Sequence, residues 1–276
     1  MTAVNAMSSR QSALLAVTTA SWSTVTGRIA GFPNSVEVLP RLGLAFATTG
    51  PIWATETIRD CFAQCSRYEE ALTKVPVLIR EAWANDDFWR YGTEVKDQNF
   101  RLIIAGYSKA RRRGETYALD CLVEGGIAAA PFELRPLPAL FMSPKVDLGN
   151  VDLDRKNQQN PGTYATVILG KIFDEQRKNK WDEVDHLEPG YYVGGDAVCA
   201  RVSEVVTEFV TLRRWDDRIG EVVNPTVAIE SWPFPPGHPD GAELPAATLE
   251  GTEGNVVALS RQQRRAAARR GEAGRC

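Results

Sequence analysis

The chain has 276 residues, of which 43% are hydrophobic and 24% charged, with a net charge of −3. This is the composition of an ordinary folded protein, long enough to bury a core without metal or disulfide staples, and its net charge is too small to select a partner. No run reaches the roughly 20 apolar residues of a membrane span. Nor do the residues from Met1 to Arg10 carry the basic start and apolar stretch of a signal peptide. A cytoplasmic location and no membrane partner are therefore expected.

Residues 2–7 and 12–19 read as short strands of small and β-branched residues. Ser35–Leu39 alternates polar and apolar, the period of a half-buried strand, and Leu42–Thr48 reads as a buried strand that Gly50-Pro51 breaks. The period then changes. Ile52, Thr55, Ile58, Phe62 and Cys65 fall at helical spacing, and so do Leu72, Val75, Ile79 and Trp83. Two helices joined near Ser66 fit this, with Pro76 marking either a nearby start or a kink in the second. Strands return at Phe100–Tyr107 and Glu115–Cys121, around a loop carrying Lys109, Arg111, Arg112 and Arg113 that reads as a solvated hairpin tip. Phe132–Phe141 is extended but interrupted by Pro136 and Pro138. A helix is predicted from Tyr164 to about Lys180, with Thr163 as its N-cap, followed by strands at Asp196–Val202 and Glu208–Trp215.

After Asn224 the texture changes. Pro225, Pro233, Pro235, Pro236, Pro239 and Pro245 predict a linker or surface strap over 224–259. The segment 260–276 then holds six arginines against the single acid Glu272. The element order is not a βαβ alternation, and no Gly-rich phosphate loop follows a strand. The predicted fold is α/β of the segregated kind: a four-layer αββα sandwich of two antiparallel sheets flanked by helices, spanning 1–223.

Several segments together resemble the proteasome-subunit family of N-terminal-nucleophile (Ntn) hydrolases and its bacterial relatives. They are Thr2-Ala3-Val4, which removal of Met1 would expose, and SALLAVTT at 12–19. They continue with Ser35–Pro40 followed by Leu42–Gly50, then Leu102–Tyr107 with its return at Tyr117–Asp120. The last are Asp174–Arg177 at a helix end and Val193-Gly194-Gly195 before a late strand. The order and spacing of the pieces carry the resemblance, which extends to small divergent relatives in prophage-like clusters.

The resemblance implies that the Thr2 hydroxyl would attack an amide carbonyl with its own α-amine as base, since a free α-amine titrates near neutrality, at about 7.7–8.0. It also implies an Asp ending the second strand and a Lys opening the third. Thr18 and Ser35 stand there, with Asn34 before the latter. The Asp and Ser that the family carries before its late Gly-Gly strand are replaced by Gly190 and Val193, and the Ser in the turn before its late helix by Gly162 or Thr163. Loss of a positioned acid–base partner costs on the order of 10² to 10⁴ in rate. The sequence thus predicts a catalytically degenerate Ntn-fold protein acting as an assembly or interaction component. The alternatives are an amide hydrolase using Thr2 in a rearranged site, and docking of nucleic acid or a protein through the Arg-rich tail.

Nothing else offers chemistry. His186 and His238 are the only histidines, and Asp182, Glu183, Asp185 and His186 read as a solvated acidic loop rather than a metal site. Cys61, Cys65, Cys121, Cys199 and Cys276 contain no CxxC pair and read as reduced thiols. Trp53, Trp83, Trp89 and Trp181 read as core or interface. No cofactor or metal is expected. Self-association is expected from the resemblance, and the tail is expected to dock a protein partner rather than nucleic acid.

Overall fold

The computed structural model describes residues 3–23, 26–33, 35–51, 54–84, 99–121, 130–150, 161–181 and 190–225. Twelve strands and three α-helices are described. The strands are β1 (Val4–Ser8), β2 (Ser12–Thr18), β3 (Ser21–Trp22), β4 (Ile29–Gly31), β5 (Val36–Leu39) and β6 (Leu44–Thr49). They continue with β7 (Arg101–Ser108), β8 (Arg113–Asp120), β9 (Arg135–Pro136), β10 (Leu140–Ser143), β11 (Asp196–Ser203) and β12 (Thr207–Arg214). The helices are α1 (Ala54–Ala63), α2 (Tyr68–Ala84) and α3 (Pro161–Lys178).

Two five-stranded antiparallel sheets result, ordered β10-β1-β2-β11-β12 and β5-β6-β7-β8-β9, together with a small β3–β4 ribbon. Strand alternation assigns the layers. In β6, Leu44 and Phe46 point to α1 and α2, while Ala45 and Ala47 point to the other sheet. In β7, Leu102 and Ile104 face the helices, and Ile103 and Ala105 face inward. In β2, Leu14 and Ala16 meet Leu169 and Phe173 of α3, and Leu15 and Val17 turn inward. The layers are therefore α3, first sheet, second sheet, and α1 with α2: the expected four-layer sandwich. The strand residues predicted to be buried, Leu14, Val17, Leu44, Phe46, Ile103 and Ile104, are all buried.

Small inward residues let the sheets approach closely. Ala6, Ala13, Ala45, Ala47, Ala105 and Ala118 line the space between them. At Gly114 the two sheets touch through their backbones: a Cβ there would lie 2.1 Å from the Ser12 carbonyl carbon, and its N–H donates to the Ser9 carbonyl at 2.8 Å. Only glycine fits such a contact.

Several expectations change in detail. Pro76 lies mid-helix in α2, which starts at Tyr68. The join near Ser66 holds: Glu70 reaches back to accept from the Ser66 N–H at 2.8 Å and from its hydroxyl at 2.7 Å. Helix α3 begins at Pro161, so Thr163 lies inside its first turn and is not its N-cap; proline suits a first helical position because it has no N–H to leave unpaired. The extended stretch 132–141 is two strands serving different sheets, β9 beside β8 and β10 beside β1. Pro136 is tolerated because β9 is an edge strand. The β3–β4 ribbon was not expected.

Candidate functional site at the N-terminal turn

Thr2, the candidate nucleophile, lies outside the described residues, and its neighbour Ala3 is fully buried. The Ala3 N–H donates to Thr18 Oγ1 at 3.0 Å, and the Ala3 carbonyl accepts from the Thr18 N–H at 3.0 Å. Thr18 ends β2 with no exposure. The position where an acid was implied therefore carries a buried, neutral hydroxyl already engaged by the first strand.

Ser35 is half-buried, and its hydroxyl donates to the Pro33 carbonyl at 3.3 Å. The next residue, Val36, is buried in the cluster that also holds Val4 and Val17. Among the described residues, no hydrogen bond joins Ser35 to Ala3 or Thr18. Asn34 lies outside the described residues.

The turn before β11 completes this end. The Thr19 N–H donates to the Asp196 carbonyl, and Thr19 Oγ1 accepts from the Asp196 N–H, both at 2.9 Å. The Ala20 N–H donates to the Gly194 carbonyl at 3.2 Å. Gly195 has φ +75°, and a Cβ there would meet Thr19 Oγ1 at 2.5 Å and the Ala20 nitrogen at 2.9 Å. Its N–H donates to Asp217 Oδ2 at 2.7 Å. Asp217 is gripped in turn by Arg177 of α3, whose Nη1 and Nη2 donate to its two oxygens at 2.8 and 2.7 Å. Arg177 also donates to the Val193 carbonyl at 2.8 Å and the Asn224 carbonyl at 2.9 Å, and its guanidinium carbon lies 4.8 Å from the Trp215 ring centroid. Burial raises the Asp196 carboxyl above its ordinary range and Asp217 adds to this, while Arg214 at 3.6 Å opposes it.

Arg177 and Asp217 are the residues that sequence reasoning missed here. A signal existed on one side only. The buried stripe Leu169, Ile172, Phe173 continues at helical spacing onto Gln176 and Arg177, so both had to point inward. Gln176 does so by exchanging amide hydrogen bonds with buried Asn5, at 2.9 and 3.0 Å.

The remaining candidates disperse. Among the described residues no cluster of His, Cys, Asp and Glu could hold a metal. Asp182, Glu183, Asp185, His186, His238, Trp53, Trp89, Cys276 and the segments 226–259 and 260–276 lie outside the described residues. Cys61, Cys65, Cys121 and Cys199 are buried and in no disulfide, and burial pushes the Cys199 thiol up to about 12. Trp83 packs against Phe100 and Phe132, and Trp181 lies against Tyr192. In the basic hairpin, Arg111 binds Glu115 through two nitrogens at 2.6 Å and Arg113 binds it at 2.9 Å, so two of its four cations are already paired. No helix among the described residues is long and apolar enough to cross a membrane.

The described architecture has solved counterparts. The Gly-1 mutant of Anbu from Hyphomicrobium sp. strain MC1 superposes with a TM-score of 0.53 at 17% identity, over 79% of this chain and 90% of that one. Anbu (ancestral beta-subunit) from Yersinia bercovieri superposes with a TM-score of 0.49 at 12% identity, over 76% and 87%. The first likeness shows that the chain has the proteasome-like Ntn fold, and at that identity it shows the fold alone. No family model and no curated protein matches the sequence.

Proposed function

We propose that this chain is a catalytically degenerate Ntn-fold protein that serves as an assembly or interaction component. The observation that carries this reading is Thr18. Where an acid would set the charge beside an N-terminal nucleophile, a neutral hydroxyl is buried and already accepts the Ala3 N–H. A hydroxyl cannot supply the field that a Lys–Asp pair provides to a developing charge. The fold likeness supports self-association as the mode of action. The Arg-rich segment 260–276 supports a docking role at the other end of the chain, with a protein partner favoured over nucleic acid because the basic hairpin is partly neutralised by Glu115.

The test uses Met1-free protein verified by intact mass. Turnover of peptide and simple amide substrates is expected to be negligible. An electrophile that requires a free N-terminal threonine is expected to leave the protein unlabelled, and Thr2→Ala is expected to leave fold and oligomeric mass unchanged. Stoichiometric labelling at Thr2, abolished by Thr2→Ala, overturns the reading in favour of a live amide hydrolase. A strictly monomeric mass by sedimentation at every accessible concentration removes the assembly half.

A further inference from the structure

The chain after β12 is tied to the chain's beginning through a continuous set of contacts. The Asn224 carbonyl and both Asp217 oxygens are held by Arg177, and Asp217 accepts the Gly195 N–H. The next residue, Asp196, exchanges two hydrogen bonds with Thr19. Thr18, beside it, exchanges two with Ala3. We propose that Arg177 and Asp217 are positioning residues for the N-terminus: the strap from Trp215 to Asn224 sets the placement of Ala3 by wedging the Gly194–Gly195 turn against the end of β2.

The wedge is geometric as well as hydrogen-bonded. A Cβ on Gly194 would meet Val223 at 2.7 Å and Asp217 at 2.8 Å on the strap side. A Cβ on Gly195 would meet Thr19 and Ala20, which follow β2, and Phe32, which follows β4, all within 2.9 Å. The turn fills the space between strap and strand with no slack, and close-packed interiors pass displacement on rather than absorb it. A second tie comes from β4, whose Ile29 carbonyl accepts the Gly220 N–H at 2.8 Å and whose Ile29 N–H donates to the Glu221 carbonyl at 2.9 Å. Stability alone is a weak explanation for the ion pair, because well-packed apolar residues often replace a buried pair without loss. Asp217 makes a bond that an apolar residue cannot, the one to the Gly195 N–H.

The experiment reads amide exchange by NMR in the full chain at Gly195 and Ala3, with Ile103 and Leu119 of the other sheet as references. Asp217→Asn is expected to speed exchange at Gly195 and Ala3 at least tenfold while the references hold. The double variant R177M/D217L is expected to recover thermal stability but to leave both sites fast. Thr19→Val is expected to speed Ala3 and leave Gly195 protected. The proposal is overturned if R177M/D217L restores Ala3 protection along with stability, or if all amides accelerate together. It also fails if Ala3 is unmoved by Thr19→Val. These readouts do not depend on whether Thr2 reacts, so they stand apart from the labelling test above.

Discussion

Thr18 shows how a single side chain can serve the fold at a position where chemistry was implied. Its Oγ1 is the acceptor for the Ala3 N–H, and neither group reaches water. Thr18→Val leaves that donor buried and unmatched, and is expected to cost about 1–3 kcal/mol by denaturant unfolding. Thr18→Asp buries a carboxylate at the same place. If β5 aligns as the resemblance implies, Ser35→Lys recovers part of that loss, and a double-mutant cycle reads the coupling. Tyr68 gives the opposite expectation. Its hydroxyl is buried without a hydrogen-bond partner, so Tyr68→Phe is expected to leave stability unchanged or raise it by up to about 1 kcal/mol. Glu115 adds a pH dependence. Burial alone would raise its carboxyl, but Arg111 and Arg113 more than reverse this, and its pKa lies below the ordinary value. Its contribution is therefore fully present above the unfolded-state pKa of about 4.3 and is lost as pH falls through the lower folded value. Glu115→Gln is expected to shrink the loss of stability on acidification, measured as melting temperature against pH from 6 down to 3.

At the scale of elements, what could be read from the sequence depended on period and length. β6, β7 and α2 were legible because each repeats its pattern across several residues. The ribbon β3–β4 was not, since two and three residues hold no period. The stretch 132–141 reads as one piece in sequence because prolines mark interruptions without saying that the chain crosses between sheets. The candidate site was half legible. Thr18 comes into view through the resemblance, which implies an acid at the end of the second strand, whereas Asp217 pairs with a residue on a different element, and no local pattern links the two. Tight helix–sheet seams follow the same logic of contact over period. A Cβ on Gly106 would lie 2.1 Å from the Tyr68 ring. Gly106→Ala is therefore expected to destabilise by about 1–3 kcal/mol through overpacking of α2 on β7, and Tyr68→Leu in the same chain to relieve part of it. Paired unfolding curves check both values.

Across the whole molecule, the two sheets differ in how far the chain must travel to build them. The second sheet takes its strands from consecutive stretches, β5 to β9. The first closes β2 against β11, with Leu15 opposite Ala200. Contacts between neighbours along the chain form before distant ones because less loop entropy opposes them. Pulse-labelled exchange during refolding is expected to protect Ile103, Ile104 and Leu119 ahead of Leu15 and Val17; simultaneous protection of both sets would count against this order. The same pairing has a meaning for synthesis. β2 is buried along its whole length once folded. As the chain emerges from a ribosome at about 5–20 residues per second, β2 waits roughly ten to forty seconds for β11 to appear. For that interval β1 is the one described strand that can hydrogen-bond to it, joined through the turn at Ser9–Gln11, where the Ser9 hydroxyl accepts from the N–H groups of Gln11 and Ser12. The edge of β2 that β11 later covers stays open until then, and an open strand edge is a template for pairing with another chain.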